Sequence, residues 1–203
     1  MKLIAKNRKT VFALAVICTL MMTGCQEGDG DADYGFPYVY IPQATFTGLN
    51  NFYPVPGGSG DYSTLTYKVE KQGNTPTTLN VLLGVLRSGK FSDAGGFTVN
   101  VDVLSGMTSE MIASGEITDA VALPSSMYTI PNKVSVESGS NNASFYLSVD
   151  IGKLMDGTYN GKNLVLAVGI SNPEPKNFLL SETNTSVVVI IDVDAMRDAL
   201  YNN

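Results

Sequence analysis

Phe97-Thr98-Val99-Asn100-Val101-Asp102-Val103 decides the fold class of this chain. Phe97, Val99, Val101 and Val103 fall on one side of an extended backbone, and Thr98, Asn100 and Asp102 on the other. Such alternation belongs to a strand with one buried and one wet face. Ala143, Phe145, Leu147 and Val149 alternate in the same way with Ser144, Tyr146, Ser148 and Asp150. So do Leu65, Tyr67 and Val69 with Thr64, Thr66, Lys68 and Glu70. Residues 164–170 and 187–193 are apolar at nearly every position, short, and bounded by turn residues. They read as central strands covered on both faces.

Working outward, residues 38–41, 79–86 and 134–136 add further strands. Clusters such as Pro56-Gly57-Gly58-Ser59-Gly60, Gly139-Ser140-Asn141-Asn142 and Ser171-Asn172-Pro173 supply the turns between them. Helical stretches are brief: residues 108–113 with Thr108 as N-cap, 151–155 and 195–200. Many short strands and little helix predict an all-β fold, an immunoglobulin-like antiparallel β-sandwich of about eight strands with one or two short helices. No repeat of solenoid length is visible.

The first residues carry a different signal. Lys2, Lys6, Arg8 and Lys9 precede an uncharged run over residues 10–20, and Met22-Thr23-Gly24-Cys25 closes it. That is the charged start, short apolar core and small-residue cleavage point of a secretory peptide. An apolar core of about ten residues is too short to span a bilayer, which needs roughly 20. Cys25 stands where a bacterial lipoprotein peptidase leaves an acylated N-terminus. The expected organisation is a signal peptide at 1–24, an acylated cysteine and acidic tether at 25–37, a β-sandwich at 38–194 and a tail at 195–203.

Without residues 1–24, Lys+Arg falls from 13 to 9 while Asp+Glu stays at 19, a net charge of −10. Such a body has no electrostatic footprint for nucleic acid or anionic headgroups. Cys18 leaves with the signal and Cys25 is the acylation site, so no thiols remain to pair. There is no histidine, which removes Ser-His-Asp and Cys-His machinery and histidine-bearing metal sites. The expectation is no metal, no cofactor and no catalysis.

The order of elements is similar to a known family. A lipobox and acidic tether lead into Tyr38-Val39-Tyr40-Ile41-Pro42-Gln43-Ala44. Next come the strand from Phe97, Leu123-Pro124-Ser125-Ser126-Met127-Tyr128, and Lys133-Val134-Ser135-Val136-Glu137-Ser138-Gly139. The strands at 143–149 and 164–170 complete the series. The chain resembles the N-terminal domain of unknown function of Bacteroidota surface lipoproteins from glycan-utilisation loci, including some endo-β-N-acetylglucosaminidases. The resemblance spans about Tyr38 to Val193. It implies a β-sandwich at the outer surface beside glycan-handling partners such as an outer-membrane uptake complex. Members of known activity carry it in a further C-terminal domain, and this chain ends about ten residues after its last strand, so no catalytic residues carry over. Gln26, Glu27, Asp29, Asp31 and Asp33 resemble the acidic export signal that sends such lipoproteins to the outer face.

Candidate sites follow from side-chain chemistry. Asp29-x-Asp31-x-Asp33 imitates a calcium loop but meets Tyr34 and Tyr40 where glycine and glutamate are required. Asp102, Glu137, Asp150, Asp156 and Asp192 offer carboxylates, with nothing in the sequence pairing any two. Aromatic residues crowd the first third, and flat rings suit the apolar face of a sugar. Tyr38 and Tyr40 share a face that is either a platform or core, with core favoured because alternating aromatics pack between sheets. Phe52 and Tyr53, in a Gly/Pro-rich loop expected to be exposed, and Tyr62 are the expected ligand contacts, with a neutral oligosaccharide as ligand. The other reading is a structural or adhesive module that adds a strand to a neighbour. Fimbrial subunits of such bacteria need an arginine near the N-terminus for processing. After Cys25 the first arginine is Arg87.

Overall fold

The computed structural model describes residues 33–46, 48, 50–57, 66–91 and 95–201. Cys25, the Asp29 and Asp31 carboxylates and Tyr62 lie outside the described residues, as does Leu65. The chain divides into two units. In the first, Met1–Tyr34 with Lys90–Ser92, an isolated antiparallel bridge joins Tyr34 to Lys90. The second, Gly35–Gly89 with Asp93–Asn203, is the β-sandwich.

Among the described residues twelve strands form two six-stranded sheets. The first sheet contains β1 (Tyr38–Tyr40), β3 (Tyr67–Gln72), β4 (Thr75–Arg87), β7 (Tyr128–Thr129), β9 (Asn142–Asp150) and β11 (Leu179–Leu180). Its order is β11-β1-β4-β9-β7, with β3 also paired to β4. The second contains β2 (Phe52–Val55), β5 (Phe97–Val103), β6 (Ala120–Ala122), β8 (Lys133–Val136), β10 (Asn163–Glu174) and β12 (Ser186–Asp192). Its order is β2-β12-β10-β5-β8, with β6 also paired to β10. Most pairs are antiparallel, but β11 joins β1, β2 joins β12 and β6 joins β10 in parallel.

Period-two patterning builds the core. Leu79, Val81, Leu83 and Val85 of β4 point inward with Phe145, Leu147 and Val149 of β9, and meet Leu164, Leu166, Val168 and Ile170 of β10. The other face of β10 explains why residues 164–170 are apolar throughout. Val165 and Ala167 join Val188 in a second cluster beneath Met107, Met111 and Ile112 of helix α1 (Ser105–Ser114). At Gly169 a Cβ would stand 2.8 Å from Leu104 Cδ1, so the missing side chain makes room for the residue that leads into α1.

Thr108 is not the N-cap of this helix. It lies inside α1, which begins at Ser105, and is buried. Its hydroxyl donates to the Leu104 carbonyl at 3.1 Å and accepts from the Ala167 amide at 2.9 Å. Ala167 falls between the stretches of β10 paired with β5 and with β6, where no strand among the described residues serves that edge. The first sheet has a matching gap. β1 pairs with β4 at Leu86 and Arg87, and β3 pairs from Val81 downward. Between them the Gly84 amide donates to Gln43 Oε1 at 3.0 Å, from a 3-10 turn at Pro42–Thr45. In both sheets one side chain takes the place of a missing strand.

Helix α2 (Ile151–Leu154) is capped by Asp150, which accepts from the Lys153 amide. The tail expected from residue 195 is mostly helix: α3 (Val193–Tyr201) buries Val193 and Met196 against the core. Val103, expected inside with Phe97, Val99 and Val101, is exposed where β5 ends.

Candidate functional site

The outer face of the first sheet collects the chemistry. Val39 is wholly buried, so Tyr38 and Tyr40 on either side of it must face outward. The expectation that this pair packs between the sheets is therefore reversed. A three-residue strand between β11 and β4, with one valine in its centre, leaves both rings on the solvent side. Phe36, 68% exposed, stands 6.0 Å from the Tyr38 ring, and Leu179, 47% exposed, is in register with Tyr38 across the parallel β1–β11 pair.

The two tyrosines form one wall of an open cleft of about 450 Å³. Ser88, Ser181, Glu182, Thr183 and Asn184 complete it. Backbone bonding sets its shape. Ser88 Oγ donates to the Phe36 carbonyl at 2.7 Å and accepts from the Tyr38 amide at 3.2 Å, fixing the entry to β1. The Ile41 amide donates to the Asn184 carbonyl, the Ser181 amide to the Val39 carbonyl, and the Asn184 amide to Ser181 Oγ. The polar loop at 181–184 is thus tied to β1 and presents Glu182 and Thr183 to solvent. An aromatic wall opposite hydroxyl, amide and carboxylate groups matches a sugar, which has apolar C–H faces and a polar rim.

At the other end of the same face lies a second open cleft, of about 440 Å³, lined by Thr77, Thr78, Thr129, Ser148 and Asp150 among others. Between the two clefts the outer face carries Leu82 paired with Tyr146, and Asn80 paired with Ser148. Ser148 Oγ donates to Asn80 Oδ1 at 2.6 Å, and Asn80 Nδ2 donates to Glu70 Oε1 at 2.8 Å.

The contacts expected at Phe52 and Tyr53 are placed differently. They belong to strand β2, not to an exposed loop, and pair in parallel with Val188 and Val189. Tyr53 is 2% exposed, packs edge-on to Phe46 at 5.1 Å and sets its phenol oxygen 3.5 Å from the Thr66 carbonyl. Burial pushes the phenol up from 10.0 to about 12. Phe52 is half-buried against the second cluster. The alternation of Phe52, Tyr53, Pro54 and Val55 is too short to stand out among the neighbouring glycines and prolines, yet it is enough to turn Tyr53 inward.

The carboxylates have local duties. Asp102 accepts from Ser171 Oγ at 2.6 Å, and Asp150 lies 3.7 Å from Lys153 Nζ as well as capping α2. Asp192 accepts from the Ala195 amide at the start of α3. Asp156 accepts from the Thr158 amide, a bond that holds its carboxyl below the usual value, and Glu137 is exposed. Among the described residues no group of three or more carboxylates or thiols could hold a metal ion, and no helix is long and apolar enough to cross a membrane.

The family described as a "-like, N-terminal domain" matches residues 36–177. No curated protein matches the chain. Several solved structures from Bacteroides are similar to the chain at low identity and with TM-scores below 0.5. A two-domain protein of unknown function from Bacteroides fragilis is 13% identical with a TM-score of 0.49, over 77% of this chain and 45% of that one. A structure of unknown function from Bacteroides ovatus is 12% identical at TM-score 0.49, over 78% and 52%. EndoBT-3987 of Bacteroides thetaiotaomicron, solved with a Man5GlcNAc product, is 11% identical at TM-score 0.48, over 76% and 30%. The chain therefore spans about half or less of the length of each of these structures.

Proposed function

The chain belongs to this N-terminal-domain family, and from that premise we propose that it is a non-catalytic glycan-binding or accessory module of a glycan-utilisation system, held at the outer membrane through an acylated Cys25 and facing the cell exterior. The observation that carries the reading is the outward Tyr38–Tyr40 pair above the polar 181–184 loop. A neutral oligosaccharide would stack on the rings and hydrogen-bond to the loop. The acidic balance of the chain, 19 Asp+Glu against 13 Lys+Arg, favours neutral over anionic ligands. The cysteine at the end of the apolar run supports the anchor, since acyl chains contribute about 0.8 kcal/mol per buried methylene and more than one gives stable attachment.

Calorimetric titration of the soluble body, from Gln26 onward, with a panel of host and dietary glycans tests the binding. Saturable heat with one glycan class and no cleavage products is the expected result. Silence across a broad panel would move the assignment to a scaffold or adhesive role with a protein partner. The anchor has its own test: Cys25→Ser should release the protein from the membrane fraction.

A further inference from the structure

Resting on the reading above, we infer that the ligand is a linear neutral oligosaccharide lying lengthwise along β4, from the Tyr38–Tyr40 cleft to the cleft beside Thr129, with Tyr146 as the contact between them. Three observations lead there. The two clefts, of about 450 and 440 Å³, open on one face of one sheet. Leu86 pairs with Tyr40 at one end and Thr78 with Asp150 at the other. Eight residues of strand separate Thr78 from Leu86, about 26 Å at the usual rise, well beyond the reach of a disaccharide.

The lining between the clefts has the right chemistry. Tyr146 is half-buried, so its ring is held by the sheet while part of it meets solvent. Lys68 Nζ lies 5.7 Å from the centre of that ring and brings donors that a sugar hydroxyl can accept from. Two carboxylates of the face are engaged within the protein: Glu70 by Asn80, and Asp150 by Lys153. A polyanion finds no cationic stripe among these residues, whereas a chain of hydroxyls meets the exposed Ser144 and the half-buried Tyr146 and Ser148 of β9 between the clefts.

The test is affinity as a function of chain length. The full chain is titrated with malto- and cello-oligosaccharides from the disaccharide upward. The expected result is affinity that climbs with length before levelling. Tyr146→Ala should weaken the longest oligosaccharide by about fivefold to tenfold and leave the disaccharide unchanged, while Tyr146→Phe keeps the ring and the affinity. Thr129→Trp, at an exposed position of the far cleft, should abolish the gain with length without touching the core. Affinity that is already full at the disaccharide, or a Tyr146→Ala variant that binds the long chains normally, overturns the lengthwise path and leaves the Tyr38–Tyr40 cleft standing. No heat at any length overturns both.

Discussion

The Thr108 hydroxyl accepts the Ala167 amide at 2.9 Å, so a threonine in the middle of α1 completes the hydrogen bonding of a central strand. Helix and sheet are joined by a polar bond inside an otherwise apolar contact. Thr108→Val keeps the shape and removes the acceptor, leaving a buried amide unsatisfied. The expected loss is about 1–3 kcal/mol of stability, read from the denaturant midpoint. Thr108→Ser, which keeps the oxygen, should recover much of it.

Gly96 tests how closely the second sheet is packed. A Cβ there would stand 2.7 Å from the Val136 carbonyl and 3.0 Å from the Ser138 amide, both backbone atoms that cannot swing aside. Gly96→Ala should force β5 and β8 apart at their ends and cost about 1–3 kcal/mol, a range typical of overpacking. A melting temperature equal to that of the parent would count against this account.

Tyr53 makes a prediction about alkali. Its phenol ionises near 12 in the folded protein and near 10.0 when ordinarily solvated, so the unfolded chain loses the proton first. Its contribution to stability is complete below pH 10 and declines as pH rises from 10 towards 12. Tyr53→Phe should remove that part of the alkaline decline. Denaturant midpoints of both proteins across this window provide the comparison.

Ring contacts with ligand and with core should separate cleanly. Tyr38→Ala and Tyr40→Ala are expected to weaken glycan binding by about fivefold each, with stability little changed. Tyr53→Ala is expected to cost about 3–5 kcal/mol of stability, as truncations of buried aromatics do. Loss of binding in a Phe52 and Tyr53 double variant would have to be judged against its fold, by near-ultraviolet circular dichroism.

Much of the sandwich is legible in the sequence because its strands keep strict periodicity. Residues 97–101, 143–149 and 164–170 stand in the sheets as their patterns predict, and the doubly apolar run is doubly covered. The site is less legible for a physical reason. Which face of Tyr38-Val39-Tyr40 is inward depends on one valine, and local alternation weighs the two faces by number and size of ring. Nor does any local pattern bring Ser181–Asn184 beside Ser88, since their contact is made through the Leu179 and Val39 registers. The run Ser181-Glu182-Thr183-Asn184 between two apolar stretches was the available clue, and it reads as a plain turn until β1 is placed next to it.

Pro54 occupies the outermost strand of the second sheet, where it has no amide hydrogen to offer a newcomer. The opposite margin is the four-residue β8, with Lys133 exposed, and β7 and β11 at the margins of the first sheet have two residues each. Short, charged or proline-bearing margins are how sheets avoid joining other sheets. A second copy arriving at any of these four margins therefore finds at most four residues of ladder to extend, and at β2 one of the four is a proline.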